Sequence, residues 1–201
     1  IVAVAARVRG SDGALLDISP IVLPGSGYVS QPPAVTTLDG RWLVAFHSNW
    51  SHDESNASTV VDFVAADGTL GASTGAELFS TAGGNGIFEI GLASNGSVAL
   101  LVQSKEITSG VETDLLAHVI AADGTIGPLV NLTPWVGNQY RPRVGWDGTH
   151  FVVVYQDQKN RLTDIAVDQI DARGDLFGMR VTAAGTVVDP QGFVISAVDT
   201  A

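Results

Sequence analysis

The stretch RPRVGWDGTHFVVVY, residues 141–155, decides the fold. Apolar and polar residues alternate on both sides of an Asp-Gly pair, which is typical of two short β-strands joined by a tight turn. Asp-Gly suits a type I′ hairpin turn because that turn needs positive φ at both central residues. The stretch therefore predicts an antiparallel hairpin that turns at Asp147-Gly148.

Two upstream stretches repeat this hairpin pattern. They are AVTTLDGRWLVAF, residues 34–46, and the more degenerate IGLASNGSVALLV, residues 90–102. The turn glycines Gly40, Gly96 and Gly148 are 56 and 52 residues apart. Internal similarity at a fixed period of this size indicates a repeat architecture.

A second landmark has the same period. It reads VDFVAADG at residues 61–68 and AHVIAADG at residues 117–124, with weaker copies at 5–13 and 179–185. Because the two landmarks interleave, each unit of about 55 residues reads as four strands, a to d. Tight turns join a to b and c to d, and longer connections join b to c and d to the next a. The sequence predicts an all-β fold of antiparallel four-stranded repeat units.

Four-stranded units in tandem resemble the blades of a β-propeller, in which each sheet packs face-on against its neighbours. The pattern is also similar to tandem repeats of secreted bacterial proteins of unassigned function, and residues 141–196 carry this resemblance best. The resemblance implies a fold and leaves the chemistry open. One segment, residues 163–175, fits either a helix or an extended strand.

The units divide a single repeat domain, 1–201, into a half unit at 1–23 and whole units at 30–80, 86–132 and 140–196. A propeller normally needs at least four blades, so three and a half do not close a ring. A fragment, completion by a second chain and an open sandwich remain alternatives. The apolar strand in 1–23 predicts an edge that pairs with further blades of the same product or with a second chain.

Composition narrows the partners and the location. The chain has 10 basic and 21 acidic residues, a net charge of −11, and no cysteine. This acidic balance excludes nucleic acid as the expected partner, and no apolar run is long enough for membrane insertion. The composition, together with a start at Ile1 that we interpret as processed or trimmed, indicates a secreted, cell-surface or periplasmic protein.

The long b–c and d–a connections leave the sheets at one edge, where binding residues are expected. Imidazoles and carboxylates there suit metal binding or acid–base chemistry, and aromatic rings suit stacking on sugars. A solvated loop and packing in the core are the competing interpretations. The candidate binding residues are Trp50, His52, Asp53, Glu54, Trp135, Tyr140 and Arg141.

The acidic stretch after residue 156 makes calcium the one candidate cofactor. Asp164, Asp168 and Asp171 are the candidate ligands, because calcium binds several hard oxygens. Their spacing matches no EF-hand or nonapeptide calcium motif, so a solvated acidic loop is the competing interpretation.

No nucleophile elbow, phosphate-binding loop, dinucleotide fingerprint or zinc-binding helix occurs, so the sequence identifies no catalytic residue. The favoured interpretation is a non-catalytic binding or scaffold module of an exported protein, with a protein or carbohydrate ligand on the long-loop edge. The alternative is a glycan-acting hydrolase that uses loop carboxylates, since glycosidases need only a pair of them.

Overall fold

A computed structural model describes residues 3–24, 32–49, 57–71, 76–80, 87–108, 112–158 and 175–197. The regular secondary structure in these ranges consists of β-strands alone. No helix there has the length and apolar character needed to cross a membrane. The strands are β1 (Val4–Ala5), β2 (Ile21–Val22), β3 (Ala34–Leu38), β4 (Arg41–Asn49), β5 (Ala57–Val64), β6 (Ala76–Ser80), β7 (Ile87–Ser94), β8 (Val98–Thr108), β9 (Glu112–Ala121), β10 (Val130–Asn131), β11 (Gln139–Trp146), β12 (Phe151–Asp157), β13 (Asp175–Val181) and β14 (Phe193–Ser196).

Twelve of these strands form three four-stranded antiparallel meanders. The first sheet has the order β3-β4-β5-β6, the second β7-β8-β9-β10 and the third β11-β12-β13-β14. Strands β1 and β2 form a two-stranded antiparallel sheet ahead of them. The prediction of an all-β fold of antiparallel four-stranded units is confirmed.

The first and second four-stranded sheets pack against a neighbouring sheet on both faces, and strand β4 shows why. Leu43 and Ala45 point to one side and pack against the second sheet, while Val44 and Phe46 point to the other side and pack against the β1–β2 sheet. Because side chains alternate along a strand, an uninterrupted apolar run supplies both faces. This is the reason that the second strands of the first two units, β4 and β8, read as continuous apolar segments.

Three apolar clusters connect the sheets in chain order. One joins the β1–β2 sheet to the first four-stranded sheet, another joins the first sheet to the second, and the last joins the second to the third. In the last cluster, Leu100 and Leu115 of the second sheet face Phe151, Tyr155 and Met179 of the third. Face-on stacking of four-stranded meanders is the arrangement of blades in a β-propeller, and the fold is of this type.

The turns differ from the predicted type I′ in all but one hairpin. In the β3–β4 turn both central residues have positive φ, 48° at Asp39 and 69° at Gly40. In the β7–β8 and β11–β12 turns Gly96 and Gly148 have positive φ, but the preceding Asn and Asp do not, among the residues described. The type I′ prediction was therefore wrong there. The two residues that pair directly beside each turn, called the closing pair, allow the three hairpins to be aligned. The closing pairs are Leu38–Arg41, Asn95–Val98 and Asp147–His150.

Alignment on these closing pairs gives each residue a repeat position. Trp42, Ala99 and Phe151 share one position, on the face that looks towards the preceding sheet. Ala99 and Phe151 are fully buried, whereas Trp42 is 41% exposed. The difference arises because the β1–β2 sheet covers only part of the first four-stranded sheet.

Candidate functional site

The first strands of the three sheets, β3, β7 and β11, border a groove. Its volume is about 320 Å³, and its lining includes Pro32, Glu89, Gly91 and Arg143. Each of these strands begins at the edge from which the long connections leave, because a d–a connection precedes it. The groove therefore opens beside the edge where the sequence predicted a site.

A carboxylate and a guanidinium face each other at this end of the groove. The Arg141 Nε lies 3.6 Å from Glu89 Oε1, and the Arg141 backbone N–H donates to Glu89 Oε2 at 3.3 Å. The side chains are 31% exposed for Glu89 and 52% exposed for Arg141. The pair is thus held in place yet open to solvent, so a ligand in the groove has access to the carboxylate.

The backbone is irregular at both residues. Arg141 has a φ of 56°, in the left-handed region, and it lies in a break of register between Tyr140 and Arg143 of β11. Glu89 lies in the corresponding break between Ile87 and Ile90 of β7. Bulges redirect side chains and occur often beside active sites, and a left-handed non-glycine residue is a form of stored strain.

Glycine allows β7 to approach β11 closely beside the pair. A Cβ on Gly91 would lie 2.9 Å from Val144 Cγ2 and 3.0 Å from the Pro142 carbonyl oxygen. Any larger residue would push the two strands apart. Gly91 therefore sets the width of the groove next to Glu89.

Buried polar side chains form a layer beneath the long connections. Burial of a polar group costs free energy unless it is hydrogen-bonded, so a layer of such residues at one edge is a feature that needs explaining. The layer consists of His47, Ser48, Ser58, Thr59, Gln103, Ser104, Thr113, Asp114, Gln139, Asp157 and Asp175.

The Asp157 carboxylate of this layer has two side-chain donors. It accepts hydrogen bonds from Trp135 Nε1 at 3.2 Å and from Gln139 Nε2 at 3.3 Å. Asp114, on the neighbouring sheet, accepts one from Asn131 Nδ2 at 2.5 Å. Burial of Asp114 raises the pKa of its carboxyl above the usual value, and the Asn131 bond opposes that shift.

His47, Gln103 and Thr59 join the first and second sheets within the same layer. The Thr59 hydroxyl donates to Gln103 Oε1, and Gln103 Nε2 lies 3.1 Å from His47 Nε2. The amide N–H must donate here, so His47 Nε2 is the acceptor and the ring is neutral. Burial lowers the pKa of His47 from 6.5 to about 4.

We expect His47 to destabilise the protein as the pH falls. The folded pKa is below the unfolded one, so the unfolded chain takes up the proton first. The contribution of neutral His47 to the free energy of unfolding is fully present above about pH 6.5 and is lower by about 3 kcal/mol at pH 4. His47→Gln should remove this loss of stability at low pH, measured as the free energy of unfolding in urea at pH 7.5, 5.5 and 4.5. His150→Gln, in the β11–β12 turn, should keep it; equal slopes in wild type and His47→Gln would contradict the assignment.

The structure places three of the predicted binding residues. Arg141 pairs with Glu89, which lines the groove. Trp135 is half-buried and its indole N–H bonds Asp157, and Tyr140 is buried at 9% exposure, so its ring packs inside the fold. The other predicted residues lie outside the described ranges: Trp50, His52, Asp53, Glu54 and the calcium candidates Asp164, Asp168 and Asp171. Within those ranges, no three His, Asp or Glu side chains converge as metal ligands.

Sequence reasoning missed Glu89. Glu89 and Arg141 occupy the same repeat position, six residues before the closing pair of their hairpins, and Pro32 occupies it in the first sheet. An acidic and a basic residue at one inner position of consecutive units was the available signal. It was hidden because the second unit is the degenerate copy of the repeat.

The fold is similar to solved arabinan-acting enzymes. The α-L-arabinanase of Penicillium chrysogenum, complexed with arabinobiose, has a TM-score of 0.63 and 16% identity, over 96% of this chain and 56% of that one. The GH93 α-L-arabinofuranosidase of Fusarium graminearum, also with arabinobiose, has a TM-score of 0.63 and 17% identity, over 96% and 56%. These structures are β-propellers, and the chain spans little more than half their length. No protein-family model and no curated protein sequence matches the chain.

This comparison overturns the favoured functional interpretation. The sequence ranked a non-catalytic binding or scaffold module first and a glycan-acting hydrolase second. That ranking was wrong, because the two solved structures that the fold resembles are glycoside hydrolases and favour the second interpretation over the first. Missing catalytic motifs carried too much weight in that ranking, because the paired carboxylates of a glycosidase leave no local motif.

Proposed function

We propose that the chain is part of a glycoside hydrolase that acts on arabinose-containing glycans. The observation that carries the proposal is the partly exposed Glu89 carboxylate in the wall of the groove between the inner strands. The solved structures with a similar fold bind carbohydrate. Because their sequence identity to this chain is low, the residues of the groove must by themselves be suited to a carbohydrate substrate.

The groove offers the groups that such a reaction needs. Glu89 acts as one of the two carboxylates of a glycosidase, as acid, base or nucleophile. Arg141 orients it through two contacts. Arg143 lines the same wall; its Nη1 donates to the Pro142 carbonyl oxygen at 2.8 Å, and the rest of its guanidinium is a donor for sugar hydroxyls in this proposal. Asp53 and Glu54, in the b–c connection of the first unit, are the sequence-based candidates for the second carboxylate.

The proposal includes an extracytoplasmic location and completion by further blades. Composition supports export, and fractionation of cells that produce the protein would test it. Exposure of Val35 and Trp42 on the first four-stranded sheet supports pairing with further strands, from the same product or a second chain. A monomer in light scattering, with a Tm unchanged by deletion of residues 1–23, would contradict the pairing.

Hydrolysis of defined glycans tests the function. We expect release of reducing sugar from arabinan or arabino-oligosaccharides, and none from xylan or cellulose oligosaccharides. Binding of arabino-oligosaccharides without turnover, in the assembled protein, would contradict the hydrolase assignment.

A further inference from the structure

Arg143 differs from Glu89 and Arg141 in its contacts. It lies on β11, lines the groove and is exposed. Arg141 forms an ion pair with Glu89, whereas Arg143 forms none with any residue that the structure describes. Its guanidinium makes one hydrogen bond within the described ranges, from Nη1 to the Pro142 carbonyl oxygen. Arg143 therefore brings a positive charge to the groove that Glu89 does not neutralise.

The bond to Pro142 anchors the guanidinium and leaves one edge of it open. Nη1 donates to the Pro142 carbonyl oxygen at 2.8 Å. This oxygen lies against β7, because a Cβ on Gly91 would be only 3.0 Å from it. Nε and Nη2 donate to no atom of the described residues. Nε and Nη2 form the edge of the planar fork that matches the two oxygens of a carboxylate.

The overall charge of the chain makes positive charge at this groove unusual. The chain has 10 basic and 21 acidic residues, and two of the basic ones, Arg141 and Arg143, lie within three positions of each other. Glu89 is the one carboxylate among the described residues that line the groove. A protein with a net charge of −11 repels anions over most of its surface, so an anionic ligand binds where positive charge is gathered.

The other side of the groove is apolar. Strand β7 lies between β3 and β11, because the sheets stack in chain order. Pro33 and Val35 line the β3 side, and Val35 is 61% exposed. Ligand sites commonly combine an apolar lining with a few polar groups that fix the orientation of the ligand. The groove thus offers apolar surface for the C–H groups of a sugar ring on one side and a guanidinium on the other.

We propose that Arg143 binds the carboxylate of an acidic sugar, so that the substrate is an arabinose-containing glycan that carries a uronic acid. The inference rests on the proposed function and names the substrate class of the same groove. Nε and Nη2 donate in parallel to the two carboxylate oxygens, while Nη1 keeps its bond to Pro142. A sugar hydroxyl offers one oxygen and uses only part of this edge, so a carboxylate is the better match. The contact fixes the register of the glycan beside Glu89.

A matched pair of substrates tests the contact. One is an arabino-oligosaccharide with a terminal galacturonic acid, and the other is its methyl ester, which keeps the sugar ring and removes the charge. We expect the wild type to have a KM about tenfold lower for the acid than for the ester, on the scale of a charge-assisted hydrogen bond. Arg143→Gln should bring this ratio close to 1. Arg143→Lys keeps the charge without the planar fork and should restore less than half of the preference.

Arg9→Gln is the control for the net charge of the protein. Arg9 forms an exposed ion pair with Asp12 outside the groove, so the variant loses the same charge and should keep the tenfold preference. A preference that persists in Arg143→Gln would come from the bulk of the ester and would overturn the proposal. Full recovery in Arg143→Lys would show that charge alone acts, and would overturn the bidentate contact.

Failure of this inference is distinguishable from failure of the hydrolase function. Turnover of acid and ester with equal KM values would overturn the role of Arg143 and leave the hydrolase function standing. Calorimetry of Glu89→Gln with the same two ligands measures binding without turnover, and we expect a Kd about tenfold lower for the acid. This preference in binding, combined with no turnover by the wild type, would contradict the hydrolase function and retain the acidic-sugar site. Equal Kd values would overturn the site.

Discussion

Glu89→Gln is expected to reduce the hydrolysis of arabino-oligosaccharides by about 10²–10⁴-fold, the range typical of a lost acid–base group. The change converts the carboxylate into an amide group of nearly the same size and shape, so substrate still fits the groove. We therefore expect kcat to fall much more than KM rises. Initial rates measured across a range of substrate concentrations give both quantities.

The fold should be unaffected by this change. Glu89 and Arg141 form a partly exposed ion pair, and such pairs contribute about 0–1 kcal/mol. The Tm of Glu89→Gln should therefore stay close to that of the wild type. Asp123→Asn, in the exposed turn at the opposite edge of the second sheet, is the control and should keep full activity. A Glu89→Gln protein with wild-type kcat would remove Glu89 from the mechanism.

The sequence contained most of the fold because the fold repeats. Each hairpin combines a turn glycine with a run such as Leu43-Val44-Ala45-Phe46, which must bury both of its faces. Such a run fits a strand between two sheets, and four copies of a landmark remove the ambiguity of a single one. Turn geometry was less predictable: Asp39 adopts positive φ and Asp147 does not, although both precede glycine.

The site was harder to predict because it depends on register between strands. Asp157 and Asp175 are separated by a long connection, and only the β12–β13 pairing makes them neighbours. Glu89 meets Arg141 at the point where both inner strands have a bulge. Sequence patterns indicate which edge carries the site, whereas a bulge of one residue decides which side chains reach it.

Phe151→Ala is expected to have the largest effect on stability, about 3–5 kcal/mol. Phe151 is fully buried between the second and third sheets, and its ring packs edge-on against Trp146 at 4.9 Å. Removing the ring leaves a cavity between two sheets that are held apart by the surrounding side chains. The loss includes the burial of the ring, the aromatic contact and the cavity itself.

Trp42→Ala provides the matched control, because Trp42 has the same repeat position on the first four-stranded sheet. Its side chain is larger than that of Phe151, but it is 41% exposed, and the sheet before it covers it only in part. We expect a loss below about 2 kcal/mol, since less apolar surface returns to water and little enclosed cavity forms. Urea unfolding midpoints at a constant m-value measure both changes. If Trp42→Ala cost as much as Phe151→Ala, burial between stacked sheets would not be the main source of stability at this position. A large difference would show that each sheet depends on the one before it, as the blades of a propeller do.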